Sequence, residues 1–259
     1  MSAGYAAAGE SVETSHSEEG RARHLSSWGR LVAACTFVLV AAAVSMGGLW
    51  AATSGSRSDS FLAAAEVLQV EIDVGRGNVD IRGGGLDEVN VQRTDHFSYY
   101  HSPEEVRTLE NGVLHITSSC ANLIVGSCSS DYRLRVSDNV PVVVHAPHGS
   151  IHLSSYRGSA ELDTGDGGIS VASFCGFTLQ ATTKMGSIDV ATSCSPDRLE
   201  LRSDTGTVNA SVPEGRYRVD AATSSGRTSV RGVTSADDAP WSIQALSNSG
   251  DVTVLGVPR

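Results

Sequence analysis

Aromatic residues make up only 5% of this 259-residue sequence, and lysine occurs once, at Lys184. So few aromatics do not line a large aromatic ligand pocket. Ala, Gly, Ser, Thr and Val dominate instead, a mixture suited to narrow strands and turns. Basic residues number 19 against 29 acidic ones, for a formal net charge of −10. That balance argues against a phosphate-binding role, since nucleic-acid binders concentrate Lys and Arg, so no nucleic-acid partner is expected. Catalytic signatures are missing too: no Gly-x-Ser-x-Gly elbow, phosphate-cradling loop or zinc-helix motif occurs.

What is present begins with Leu31 to Ala52, "LVAACTFVLVAAAVSMGGLWAA", which carries no charge. As a helix it rises roughly 33 Å, enough to cross a hydrocarbon core. Trp28 and Trp50 sit at its two ends, where amphipathic rings favour the interface. Arg21, Arg23 and Arg30 precede it, and only Arg57 follows closely. The positive-inside bias predicts a single-pass membrane protein with a cytoplasmic N-terminus and an extracytoplasmic C-terminal domain. A cleaved signal peptide is the competing reading, against which stand the long leader and the length of the apolar run. Residues 1–30 read as a disordered cytoplasmic tail, 31–52 as the transmembrane helix and 53–66 as a flexible stalk.

Cys35 lies inside the span, whereas Cys120, Cys128, Cys175 and Cys194 fall on the outer side. Four cysteines in an oxidising compartment permit two disulfides in three connectivities. The local choice is Cys120–Cys128 with Cys175–Cys194; four buried free thiols are the alternative.

The rest is repetitive. "APHGSIHL", "LDTGDGGISV", "TTKMGSIDV", "RSDTGTVNA", "TSSGRTSV" and "SNSGDVTV" each join a polar corner to a short alternating run. The corner glycines are Gly149, Gly168, Gly186, Gly206, Gly226 and Gly250, in steps of 19, 18, 20, 20 and 24 residues. Near-regular spacing of this size signals stacked repeats of ~20 residues. Period-two alternation, as in Ile169/Val171, Ile188/Val190 and Leu199/Leu201, marks half-buried strands, with Phe177 and Tyr217 also reading as inward. The Ser/Thr/Asp-x-Gly corners are expected to turn at positive φ. The predicted fold is therefore all-β: an elongated β-solenoid of repeats over residues 147–256, following an N-terminal β segment and cap over 67–146. Longer, antiparallel-looking strands are expected in that cap, "SPEEVRTLENG" reads as a short helix, and Pro258 is placed to block an open edge.

The order of an N-terminal span, "VEIDVGRGNVDI", "GVLHITSSC…GSCSSDYRLRV" and rungs ending in G-x-[IV]-x-[VA] resembles the bacterial adhesin-like, or toastrack-like, β-solenoid domain family over roughly residues 67–256. That resemblance implies a surface-exposed repetitive domain of envelope or membrane-stress proteins, and it brings no catalytic residues.

Three groups of polar residues bear on possible chemistry. Asp163 and Asp166 do not recur at the equivalent corners, where only Asp204 repeats the acid, so a calcium ladder lacks ligands; corner carboxylates bonding their own backbone are expected. His145, His148 and His152 are close in sequence, but His152 alternates outward and Pro147 separates the others, so solvated histidines are expected rather than a zinc site. The outward acids Glu161, Asp163, Asp189 and Asp220 are spread over several repeats, unlike the paired carboxylates of a glycosidase. No cofactor or metal is expected, and an enzyme acting on polysaccharide is the minority reading. The function expected is surface binding or scaffolding at the cell envelope, with a cell-envelope or protein partner; an accessory envelope-stress sensor is the alternative.

Overall fold

A computed structural model describes residues 27–63, 66–84, 88–99, 101–121 and 126–258. The chain divides into two compact units, residues 1–48 and 49–259. Helix α1 (Ser27–Thr53) begins four residues before the expected span. Its stretch Trp28–Leu49 is long and apolar enough to cross a membrane. Of the tail expected over residues 1–30, residues 1–26 lie outside the described residues.

The second unit is built from two ten-stranded sheets. Across the first, the order is β1 (Gly55–Ala63), β4 (Val89–Phe97), β7 (Cys128–Arg135), β3 (Val79–Arg82), β9 (Ile151–Ser154), β11 (Ile169–Phe174), β13 (Ile188–Thr192), β15 (Val208–Pro213), β20 (Val252–Val257) and β17 (Thr228–Arg231). Across the second it is β18 (Thr234–Ser235), β16 (Arg216–Ser225), β19 (Trp241–Ser249), β14 (Arg198–Thr205), β12 (Thr178–Met185), β10 (Ala160–Asp166), β8 (Val142–His148), β2 (Gln69–Val74), β6 (Val113–Ser119) and β5 (Glu104–Glu110). Successive strands such as β10 and β11 alternate between sheets, and each such pair forms one rung.

Alternation in the sequence makes these strands. One face of every rung is aliphatic, and parallel in-register pairing stacks those faces. Val70, Val142, Ala160, Leu179, Leu199, Ile243 and Val219 form one column through the second sheet. Val79, Ile151, Ile169, Ile188, Val208 and Val252 form its counterpart in the first. Both columns contribute to one buried cluster. A fully buried Ile or Leu contributes about 1.5–3 kcal/mol, so no rung is stable without the neighbours that cover it.

The rungs do not stack in chain order. From β8/β9 to β14/β15 each rung lies beside the next in sequence. The neighbour of β14/β15, however, is the last rung, β19/β20, and β16/β17 lies beyond it. At the other end β2/β3 is flanked by β8/β9 on one side and β6/β7 on the other. A constant step therefore holds only through the middle of the stack. The residue-146 boundary between cap and repeats also disappears, because it falls inside β8, which pairs with both β2 and β10. Pro258 follows a strand held between β15 and β17, so it guards no edge.

The corners explain the glycines. Gly77, Gly149, Gly167, Gly186, Gly206, Gly250 and Gly226 stand in a column. In each step from Gly149 onward, an added Cβ would meet the preceding glycine's carbonyl oxygen well inside the 3.0 Å that real Cβ atoms respect. The corner residue of the second repeat is therefore Gly167, not Gly168, whose Cβ would meet only the Ser187 oxygen at 3.3 Å. Positive φ is found at Gly206, Gly226 and Gly250 but not at Gly149 or Gly186. What all share is the close backbone approach. Three residues before each glycine from Gly167 onward a hydroxyl secures the same carbonyls: Thr164 donates to Gly149 O (2.8 Å), Thr183 to Gly167 O (3.0 Å) and Ser203 to Gly186 O (2.9 Å). Ser247 donates to Gly206 O (2.9 Å) and Thr223 to Gly250 O (2.8 Å).

Other local expectations are corrected. The stalk over residues 53–66 contains β1, which pairs antiparallel with β4 from Gly55↔Phe97 to Ala63↔Val89. Only its last residues, Phe61 and Ala63, pack on the core, so the rest reads as polar linker. The "SPEEVRTLENG" segment is strand β5, antiparallel to β6: its Ser-Pro start mimics a helix cap, while Glu105 and Arg107 alternate inward. Antiparallel pairing is confined to β1/β4, β4/β7 and β5/β6 among the described strands, and the rest of the cap is parallel. Phe177 is 66% exposed, because it sits in the bend before β12 rather than in strand alternation.

Candidate interaction faces

Every rung turns half its side chains outward, and parallel register places them in rows across the strands. On the second sheet these rows carry acid–imidazole and amide pairs. His115 Nδ1 lies 2.9 Å from Glu71, His145 Nδ1 2.8 Å from Asp163 and His148 Nδ1 3.2 Å from Asp166. Gln244 donates to Asp220 at 3.0 Å. Asp163 and Asp166 thus face histidines of the neighbouring strand, where bonds to their own backbone were expected. His152 sits on β9 in the other sheet, away from His145 and His148 on β8. Glu161 and Asp163 share β10, while Asp189 lies on β13, where it accepts from Asn209 at 2.8 Å. Among the described residues no group of three or more His, Cys, Asp or Glu is arranged to hold a metal ion.

The disulfides reinforce corners on both sides of the stack: Cys120–Cys128 on the side of the glycine column, beside the Gly77 corner, and Cys175–Cys194 opposite it. Cys120 joins Cys128 between the end of β6 and the start of β7, with a Cα–Cα distance of 5.9 Å. Cys175 joins Cys194 across adjacent rungs at 4.7 Å, about the spacing of neighbouring strands.

One concentration of chemistry has only a faint sequence signal. At the β4/β5 end the inward positions switch from aliphatic to charged: Val89 and Val91 give way to Arg93 and Asp95. Arg93 Nε bonds Asp95 at 2.6 Å and its Nη1 bonds Glu105 at 2.8 Å. Arg107 also pairs with Glu105, and it stacks over Phe61 at 3.9 Å. Tyr132 donates to Glu105 at 3.0 Å, and Ser130 to Asp95 at 2.7 Å. Burial works against the Glu105 carboxylate, yet hydrogen bonds from Arg107 and Arg93 hold its pKa below the ordinary value. Burial also opposes the charge of Arg93, but Tyr132, Glu105 and Asp95 together hold its pKa up. Burial pushes the Tyr132 hydroxyl well above its usual value. The cluster closes the interior at this end; in the second sheet its Glu105 and Arg107 lie on the edge strand β5, where inward charges disfavour further strand addition. The only signal in the sequence was the replacement of Val by Arg and Asp at inward phase.

The outer face near this end differs in sign. Arg82 on β3 and Arg133 and Arg135 on β7 line a shallow groove of about 380 Å³ with Asp80, Asn90 and Gln92.

Among solved structures, the chain is similar to a putative cell adhesion protein from Clostridium sporogenes at 10% identity, covering 78% of this chain and 100% of that one, with a TM-score of 0.48. A putative adhesin from Bacteroides fragilis matches at 10% identity over 78% and 97% of the two chains, with a TM-score of 0.45. No curated protein matches. The family model described as Toastrack DUF4097 matches residues 62–255, from the end of β1 into β20, and the chain belongs to that family.

Proposed function

We propose that this protein is anchored by α1 with its N-terminus in the cytoplasm, and that it binds or scaffolds envelope components through the outer faces of its β stack. The observation that carries this reading is the pair of outward faces, on which in-register rows of hydroxyl, amide and charged groups run from rung to rung. Surfaces of this form bind extended partners by repetition rather than by enclosing a substrate. Two disulfides support an oxidising compartment for the β unit. The arginine bias around α1 supports the orientation.

The test is co-sedimentation of the full-length protein, in detergent micelles, with washed cell-envelope fragments. Saturable binding without release of soluble sugar is expected. No binding, or steady release of sugar, would overturn the proposal.

A further inference from the structure

We propose that the groove lined by Arg82, Arg133 and Arg135 binds phosphate or carboxylate groups on a linear anionic polymer; this deepens the surface-binding reading above and rests on it.

The register is what gathers the arginines. Parallel pairing of β3 with β7 sets Arg82 directly beside Arg135 and Asp80 beside Arg133. Antiparallel pairing of β4 with β7 adds Asn90 beside Arg135 and Gln92 beside Arg133. All three guanidinium side chains are exposed. Among the described residues none of them has an ion pair or side-chain hydrogen bond. Arg93, Arg107, Arg157, Arg198 and Arg216 each have an acidic partner; among the other described arginines without one, Arg82 and Arg135 are set apart by standing directly beside each other on paired strands. Like charges directly opposite on neighbouring strands destabilise a sheet. An acidic chain of net charge −10 nevertheless places two arginines side by side and leaves them unneutralised.

Two adjacent guanidinium forks present parallel N–H donors that match the oxygens of a phosphate or carboxylate, and the side-chain amides of Asn90 and Gln92 add neutral donors. The groove is open and lies on a sheet face, so it suits one charged group of a chain running across the strands rather than an enclosed small molecule. A flat anionic bilayer fits less well. Asp131 stands on the same outward face two residues before Arg133, with Asp80 inside the groove, and a planar surface would press against these acids too.

The experiment measures binding of the full-length protein in zwitterionic nanodiscs to linear polyphosphate, to polygalacturonate and to neutral dextran. A separate arm uses phosphatidylglycerol vesicles. The variants are Arg82→Ala, Arg135→Ala, the triple Arg82→Ala/Arg133→Ala/Arg135→Ala, and the control Arg216→Ala/Arg218→Ala on the other sheet. Expected are binding to one or both polyanions and none to dextran. The triple variant should lose at least tenfold in affinity, with a flatter salt dependence, as fewer counterions are exchanged, and the control should bind as the parent does. The preferred polyanion distinguishes phosphate from carboxylate. Equal binding by the triple variant, equal loss in the control, or binding to vesicles alone would overturn the proposal. So would a fall of several degrees in melting temperature for the triple variant, since relief of repulsion should leave it unchanged or raised. Envelope binding that survives in the triple variant removes this site and leaves the surface-binding reading standing. Polymer binding without envelope binding does the reverse.

Discussion

Alanine at Gly167 and at Gly168 separates the two explanations for the corner glycines. Neither residue has a φ in the left-handed region, so the comparison isolates the steric requirement from backbone conformation. A methyl group at Gly167 points at the carbonyl of Gly149, and to reach the 3.0 Å that real Cβ atoms respect the two backbones must separate. The opening is roughly 1 Å against a strand spacing of about 4.8 Å. The same carbonyl accepts the hydroxyl of Thr164, whose residue is 1% exposed. Overpacking costs about 1–3 kcal/mol, and a weakened buried hydrogen bond adds about 1–3 kcal/mol. Gly167→Ala should therefore cost about 2–6 kcal/mol, a fall in Tm of roughly 5–20 °C for a domain of this size. Gly168→Ala brings its methyl to 3.3 Å from the Ser187 oxygen, and should cost no more than about 1 kcal/mol. Thermal melts followed by circular dichroism on the two variants decide the matter. If Gly168→Ala is the more damaging, or both are harmless, the carbonyl column is not what selects glycine.

Four further outcomes are expected. Thr183→Val, which strips the hydroxyl from the Gly167 carbonyl, should lower unfolding free energy by about 1–3 kcal/mol in urea melts; an unchanged midpoint would show the bond to be idle. Deleting residues 241–259 removes the buried Ile243, Ala245, Val252 and Val254 from between two other rungs. The loss is about 5–9 kcal/mol of burial, and limited proteolysis should then cut β16 and β17, whereas retained resistance would mean that the stack closes over the gap. Glu105→Gln breaks a buried charge cluster and should cost about 3 kcal/mol at neutral pH. Because the folded carboxyl's pKa lies below 4.5, its stabilisation is present above that value and lost as pH falls through the folded one. The gap between parent and variant should therefore narrow in acid, and a constant gap from pH 7 to pH 3 would refute the assignment. Reducing Cys175–Cys194, which closes a separation of 19 residues, should cost about 3 kcal/mol, read as a fall in Tm with added reductant.

Legibility varied with how local the cause was. Ile169, Ile188, Leu199 and Val252 alternate within a few residues of their own polar neighbours, so their inward phase could be read directly. Beside them, the Thr164-x-x-Gly167 and Ser203-x-x-Gly206 spacing carries the hydroxyl-to-carbonyl device, although its partner lies in the preceding rung and is invisible in one repeat. Phe177 shows the limit of alternation, since two residues' separation from Leu179 means nothing once a bend intervenes. The stalk failed for a different reason: β1 is an edge strand with one paired side, and its polar half carries no burial pattern. The arginine groove was unreadable because Arg82 and Arg135 are 53 residues apart and meet only through β3–β7 register.

From composition, alternation and corner chemistry alone follow an apolar helix, an all-β unit and rungs that must stack to bury their faces. Those properties depend on contacts within one turn of chain, where each side chain's neighbours are set by a few preceding residues. Which rung lies against which was decided in three dimensions. The rungs present nearly equivalent aliphatic columns and glycine corners, so β14/β15 has no local reason to prefer β19/β20 over β16/β17. That choice, and with it the β4/β5 charge cap and the gathered arginines, comes from pairing across long stretches of chain, whose energy no single segment encodes.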